Sequence, residues 1–304
     1  METFVEQVVS GVMTGSVYGV VALSLVMVFQ STRMFNFGQG EIATFTTFIA
    51  WSLMLTLPYG IGFVLAFVVA FAMGVILERG VIRLVYDKPP MTGIIVGLGL
   101  FIAFNSLSAS IYGAEPHQFP QPFVGGPIDL AGVTISQHSA YLFGVAMLLA
   151  AVLYIVFQYT PFGLAMRATA FDRSAAELMG VPTGRMLMLG WGLATGVGAV
   201  AGMLVAPVII LTPNMMFFVL VFAFAAAVLG GLDSAPGAVV GGLIVGVTQN
   251  LVGVYIDDIV EALHLGFGIQ EPNQYRDIVA MGLIVVVLAV RPRGLFGRPL
   301  VQRV

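Results

Sequence analysis

Side chains able to do chemistry are sparse in this chain, and two short stretches hold most of them. In 160–186, Ser174 and Glu177 have the S-x-x-E spacing of a capping box, in which each side chain satisfies a free amide at a helix start. Gly180 suits a left-handed C-terminal cap, and Pro182 prevents continuation. The spacing predicts a helix of one or two turns on which Ala175, Leu178 and Met179 share a face. A helix this short does not stand alone in water. It must dock, either on its own bundle as a surface turn or in a partner's groove. The second stretch runs from Arg33 to Glu41. Gly38 and Gly40 free the backbone, Asn36 and Gln39 carry donors and acceptors, and Glu41 falls where a helix N-terminus favours negative charge. It reads either as a tight polar turn into a capped helix or as a break lining a path through the protein. Gln30, Asn105, Asn214, Gln249 and Asn250 are amides in apolar surroundings, where the common role is a bond to a neighbouring helix. Asn214 beside Pro213 also marks a broken helix, where free backbone groups can meet a substrate.

The chemistry that is absent narrows the reading further. The single lysine, Lys88, precedes Pro89, so no phosphate-binding G-x-x-x-x-G-K-[ST] loop exists. There is no G-x-S-x-G and no H-E-x-x-H, and no cysteine for disulfides, thiolate catalysis or metal ligation. His117, His138 and His264 are scattered and fall in expected outer loops, so neither a metal nor a cofactor is expected. A proton relay would need ionisable groups inside the bilayer, each costing about 2.5–3.5 kcal/mol, and every expected helix core lacks them. Sodium coupling through carbonyls and hydroxyls stays open. With no ATPase of its own, the chain is expected to take its energy from a partner.

The elements that carry these residues are membrane spans. Of 304 residues, 59% are hydrophobic and 9% charged, against roughly 25% charged in ordinary soluble domains. Mean hydropathy is +1.01. A net charge of −3 lacks the basic face that nucleic acid needs. A span needs about 20 apolar residues, and the charge-free intervals predict an all-α polytopic bundle of eight to nine, near 8–30, 42–57, 61–78, 93–112, 140–159, 187–211, 217–232, 236–256 and 278–290. With the N-terminus outside, Arg33, Arg79, Arg83, Lys88, Arg167, Arg173, Arg185, Arg291, Arg293, Arg298 and Arg303 fall on the cytoplasmic side and only Arg276 outside. The loops around 113–139 and 257–277 are acidic and outer, and this is the bias the positive-inside rule describes. The N-terminus lacks the basic region of a cleavable signal, so the first helix is expected to be retained. Gly11, Gly15 and Gly19, with the pairs Gly192/Gly196, Gly198/Gly202, Gly237/Gly241 and Gly242/Gly246, have the four-residue spacing that lets helix backbones meet. The whole chain, 1–304, reads as one transmembrane domain.

Several motifs in order carry a family resemblance along essentially the whole chain. They are Gly15-Ser-Val-Tyr-Gly-Val-Val-Ala-Leu23, Asn36-Phe-Gly-Gln-Gly-Glu41, Arg167-Ala168, Asp172-Arg-Ser-Ala-Ala-Glu-Leu-Met-Gly180, Val228-Leu-Gly-Gly-Leu-Asp-Ser-Ala-Pro-Gly-Ala238 and Arg291-Pro-Arg-Gly-Leu-Phe-Gly-Arg298. The chain resembles the LivH-type branched-chain amino acid permeases of ABC importers. The family has His in its N-F-x-H-G segment where Gln39 stands here, which removes a titratable group. The resemblance implies a multi-pass subunit of the bacterial inner membrane, paired as a heterodimer with a second homologous permease. It also implies two ABC ATPase subunits and a periplasmic substrate-binding protein. It makes 174–180 a coupling helix flanked by Arg167, Asp172 and Arg173, with Ser174, Ala175, Glu177, Leu178, Met179 and Gly180 in it. Asn36, Gly38, Gln39, Gly40, Glu41, Asn105, Asn214 and Gln249 are the candidates for the substrate path. Amino acids, branched-chain ones first, are the expected cargo. Urea, short amides and other small solutes are the alternative within the class, and a stand-alone channel or sodium-coupled carrier the alternative outside it.

Overall fold

Apolar runs bounded by prolines, glycines and short polar breaks become the helices of a bundle. The computed structural model describes residues 2–32, 34–86, 88–123, 125–130 and 133–262, with 278, 282, 285, 286, 289 and 294–297. Its helices are α1 (Glu2–Thr32), α2 (Gln39–Met54), α3 (Tyr59–Gly80), α4 (Pro90–Tyr112), α5 (Gln137–Tyr159), α6 (Pro161–Phe171), α7 (Arg173–Leu178), α8 (Thr183–Ile209), α9 (Met216–Gly230) and α10 (Ala235–Ala262). A 3-10 turn, Ile82–Val85, follows α3. A hairpin of three-residue strands, β1 (Ile128–Leu130) and β2 (Val133–Ile135), interrupts the all-helical pattern in the connection to α5. Among the described residues six helices are long and apolar enough to span a membrane: α1, α3, α4, α5, α8 and α10. The expected spans 42–57 and 217–232 correspond to the shorter α2 and α9, about 24 and 22 Å long at 1.5 Å per residue. The expected last span, 278–290, falls outside the described residues but for isolated positions.

Two helices form the interior. α1 and α8 are mostly buried, whereas α3, α4 and α5 turn Ile61, Val68, Ile95, Ile102, Leu148 and Ile155 outward, as lipid-facing helices do. α1 runs antiparallel to α10, with Gly11 against Val247, Gly15 against Gly242 and Leu243, and Gly19 against Val239. A Cβ on Gly246 would lie 2.3 Å from the Gly15 Cα, so the two backbones touch. α8 runs antiparallel to α3, where Gly74 meets Trp191 and Gly196 meets Phe67, and parallel to α2, where Gly202 meets Ala43 and Thr47. Gly241 lies on the Ala226 carbonyl and Gly237 on that of Gly230, joining α10 to α9. The four-residue glycine spacing therefore marks helix packing.

The ends of the bundle differ in charge. Each described lysine and arginine (Arg79, Arg83, Lys88, Arg167, Arg173 and Arg185) lies at the end that carries α6 and α7. Arg33, Arg276, Arg291, Arg293, Arg298 and Arg303 lie outside the described residues. The hairpin marks the opposite end, where the connection after α4 is tied to that after α8 by a two-way backbone pair, His117 N to Leu211 O and Leu211 N to His117 O.

Among the described residues, the expectation that helix cores lack ionisable groups fails at helix ends. Glu41 in the first turn of α2 and Glu78 near the end of α3 are both 0% exposed. His138 is not in an outer loop: it is buried in the first turn of α5, 3.0 Å from the Leu204 carbonyl through Nε2. His117 does lie in a connection, packed on Trp51 and Phe48. His264 is outside the described residues.

Candidate functional site

The 160–186 segment is more ordered than a loop with one short helix. Thr160 caps α6 by accepting from Gly163 N at 3.3 Å, and Pro161 fills the first helical position. Asp172 ends α6 in extended conformation and starts α7, its Oδ1 accepting from Ala175 N at 2.9 Å. The capping box is thus displaced: Ser174 lies inside α7 and Asp172 is the cap. Asp and Ser are comparable caps, and the extended backbone at Asp172 decides between them. Glu177 turns instead to Arg173 Nε at 3.2 Å and to the Thr183 hydroxyl. That hydroxyl, and then Arg173, hold the Glu177 carboxyl below its ordinary pKa. The predicted C-terminal stop is present. Gly180 has φ +81°, its N–H donates to the Glu177 carbonyl, and Val181 N donates to that of Ala176, both at 3.0 Å. This is the paired-bond helix stop that glycine at such an angle permits.

α7 sits on the bundle through Ala176, 5% exposed, and turns its large apolar groups away. Leu178 is 89% and Met179 84% exposed, and Ala175 is exposed with them. Phe171, which the sequence reading did not single out, is equally bare. Arg167 folds back within α6, its Nε 3.3 Å from the Gly163 carbonyl.

A second group missed in the sequence anchors this knuckle. The buried Glu78 carboxylate accepts from Arg83 Nη2 at 3.0 Å, from Arg83 Nε at 3.3 Å and from the Tyr86 hydroxyl at 3.1 Å. Arg83 also donates to the Gly184 carbonyl in the first turn of α8 at 3.1 Å, and Arg173 lies 5.5 Å above the Tyr86 ring. The end of α3, the start of α8 and the start of α7 are therefore joined by one charged network. Its signal was weak because Glu78 and Arg83 are five apart, a spacing that is no helical neighbour pair.

The path candidates divide into two groups. Gln39 Nε2 donates to the Ala194 carbonyl at 2.8 Å and to Ser24 Oγ at 3.3 Å, while its Oε1 accepts from Asn36 Nδ2 at 2.9 Å. Asn36 Oδ1 accepts from Gly38 N at 3.1 Å. These side chains are buried and engaged on one another in a tight polar turn, and Gly38 at the start of α2 provides no side-chain cap. Gly38 and Gly40 let it approach Leu100 and Leu220, where a Cβ would come within 3.0 and 3.2 Å. Glu41, Asn105 and Asn214 form the second group. Asn105 Nδ2 lies 3.1 Å from Glu41 Oε2, 2.6 Å from Asn214 Oδ1 and 3.4 Å from the Pro213 carbonyl. Gln249 stands apart, accepting from the Tyr18 hydroxyl at 2.7 Å across α1 and α10, and Asn250 bonds its own helix. A cavity of about 420 Å³ near the hairpin end, walled by Met13, Val17, Tyr18, Leu142, Val205 and Val219, contains none of the candidates. Among the described residues no three His, Asp or Glu converge as metal ligands.

Long apolar helices joined by backbone contact define a polytopic membrane protein. The sequence matches the family described as branched-chain amino acid transport system permease component over residues 7–288. The chain belongs to that family and is a multi-pass permease of the inner membrane. It is 31% identical to the high-affinity branched-chain amino acid transport system permease protein LivH of Escherichia coli (strain K12), over 99% of this chain and 98% of that one. It is likewise 31% identical, with the same coverage, to the corresponding protein BraD of Pseudomonas aeruginosa. Among solved structures it is similar to PsaBC from Streptococcus pneumoniae in complex with Fab, at 17% identity and a TM-score of 0.47, covering 93% of this chain and 91% of that one.

Proposed function

We propose that the chain is one of two homologous permease subunits of an ABC importer that carries amino acids, branched-chain ones first, inward across the membrane. In this reading two ATPase subunits bind the α6–α7 end, a substrate-binding protein meets the hairpin end, and 1–304 acts as one transmembrane domain. Gathering of the described basic residues at the α6–α7 end supports its placement in the cytoplasm and the N-terminus outside. The observation that carries the reading is α7 itself: a helix capped at both ends, held to the bundle by Ala176, with Leu178 and Met179 bare. Burying each against a partner contributes about 1.5–3 kcal/mol. When ATP closes the partner dimer, α7 moves with it, and the network of Arg173, Tyr86, Glu78 and Arg83 passes that movement to α3 and α8.

The test is the double substitution Leu178→Asp/Met179→Asp in the assembled importer. Loss of at least about 3 kcal/mol of docking corresponds to a hundredfold or greater weakening of ATPase association. ATP-driven leucine uptake is expected to vanish while the bundle still inserts and elutes as the wild type does. Normal uptake by the double variant, or uphill transport by the purified chain without nucleotide, overturns the reading.

A further inference from the structure

We propose that Glu41, approached through Asn214 and Asn105, is the point on the translocation path that receives the ammonium group of an amino-acid substrate. The inference rests on the amino-acid permease reading above and adds a residue and a chemistry to it.

The cluster is poor in donors. Glu41 is 0% exposed, and its Oε1 has no hydrogen-bond partner. Its Oε2, Asn214 Oδ1 and the Pro213 carbonyl all face one donor, Asn105 Nδ2. An amide nitrogen has two hydrogens, so three acceptors share two protons while a fourth has none. Turning the Asn105 amide over would set oxygen against oxygen, so the orientation is fixed by chemistry. A buried carboxylate left in this way is costly unless it is paired and hydrogen-bonded. An ammonium supplies both requirements, with one positive charge and three donors.

Position points to a traversed site. Asn214 is exposed, Asn105 half-buried and Glu41 buried, giving a graded descent from surface to carboxylate. Asn105 lies about 6 Å from the midpoint of α4 at 1.5 Å per residue, well inside a hydrocarbon layer about 30 Å thick. Amides exposed at that depth do not face lipid chains; such groups line a water-filled path or a protein contact. The rim beside Asn214 is apolar: Phe217 is 41% and Phe218 58% exposed. An aliphatic side chain lies against these residues while the ammonium reaches inward.

The absence of native cysteine makes the test direct. Phe218→Cys, on the rim and outside the cluster, is placed in the assembled importer in proteoliposomes. Its labelling by a water-soluble maleimide is then followed on this chain with 3-methylbutylamine, with 4-methylpentanoate or with sodium chloride. The amine, which keeps the ammonium and drops the carboxylate, is expected to slow labelling. The acid and the salt are not. Adding Glu41→Gln should raise the amine concentration needed for protection at least tenfold, and Glu41→Asp should recover part of it. No labelling, equal protection by the acid, protection by sodium alone, or protection that survives Glu41→Gln overturns the proposal. ATP-driven leucine uptake by the importer with Phe218 intact separates the two readings: such uptake without selective amine protection of the Phe218→Cys complex defeats the Glu41 site and leaves the permease reading intact.

Discussion

Replacing Gly246 with alanine tests whether α1 and α10 are held by direct backbone contact. The added Cβ would lie 2.3 Å from both the Cα and the N of Gly15 and 2.5 Å from the Gly11 carbonyl oxygen. Ordinary contact begins at 3.4 Å, so α10 must withdraw by about 1.1 Å. Each obstructing atom is backbone, so no side chain can turn aside. Retreat at this point also loosens the next contact, where Gly242 lies against Gly19. Forcing extra carbon into a closed contact costs about 1–3 kcal/mol. Alanine also gains about 0.5–1 kcal/mol over glycine inside a helix, which confounds a single measurement. Gly144→Ala on α5 supplies the control, because a Cβ there meets nothing within 4 Å. Between the two variants the helix gain cancels and the contact cost remains, a factor of about 5 to 150 in the folding equilibrium. Thermal unfolding in detergent, followed by size exclusion of a fluorescent fusion, should place Gly246→Ala below both wild type and Gly144→Ala. Equal midpoints for the two variants would refute backbone contact as the joint.

Asp172→Ala should loosen α7 by about 0.5–2 kcal/mol and speed hydrogen exchange across 172–180, whereas Ser174→Ala should leave it unchanged; equal effects would restore the capping box at Ser174. Arg83→Ala leaves Glu78 buried with only the Tyr86 hydroxyl. Breaking a buried pair costs about 3–5 kcal/mol, and Arg83, at 39% side-chain exposure, puts this case at the lower end. The unfolding midpoint should fall well below that of Arg185→Ala, and coincidence of the two would refute the network's role.

What could be read from the sequence was what local chemistry determines. Apolar length fixed the long spans because lipid imposes about 20 residues whatever the neighbours do. Four-residue glycine spacing marked the helix joints, since Gly11, Gly15 and Gly19 fall on one helix face wherever that helix lies. The helix stop at Gly180 was local in the same sense. The start of α7 was harder, because Asp172 and Ser174 are both good caps and only the extended turn out of α6 selects one. α6 itself was missed although Thr160-Pro161 is a helix-start pair. The grouping of Glu41, Asn105 and Asn214 could not be read at all: the pairs are 64 and 109 residues apart in the chain, and nothing in either motif names the other.

The same division explains how one bundle can be rigid and movable at once. Where glycine brings backbone to backbone, as in α1 with α10 and α3 with α8, sliding would drive main-chain atoms into each other, so these pairs move as units. α2 and α9 are short, begin at polar breaks, and meet where Gly40 lies under Leu220 and the Met216 carbonyl. Glu41 and Asn214 stand beside those two helix starts. On the coupling role proposed for α7, a displacement entering there reaches α8 through Val181 and Pro182 and reaches α3 through the contact of Arg83 with the Gly184 carbonyl. The contacts of α2 with α4 and α9 are less tight, with Cβ distances of 3.0–3.3 Å at Gly38 and Gly40 against 2.2 Å for Gly242 on Gly19 and 2.5 Å for Gly74 on the Trp191 carbonyl. On the proposed reading this looser junction, where the Glu41 carboxylate lies, is where the movement and the charge of the substrate meet.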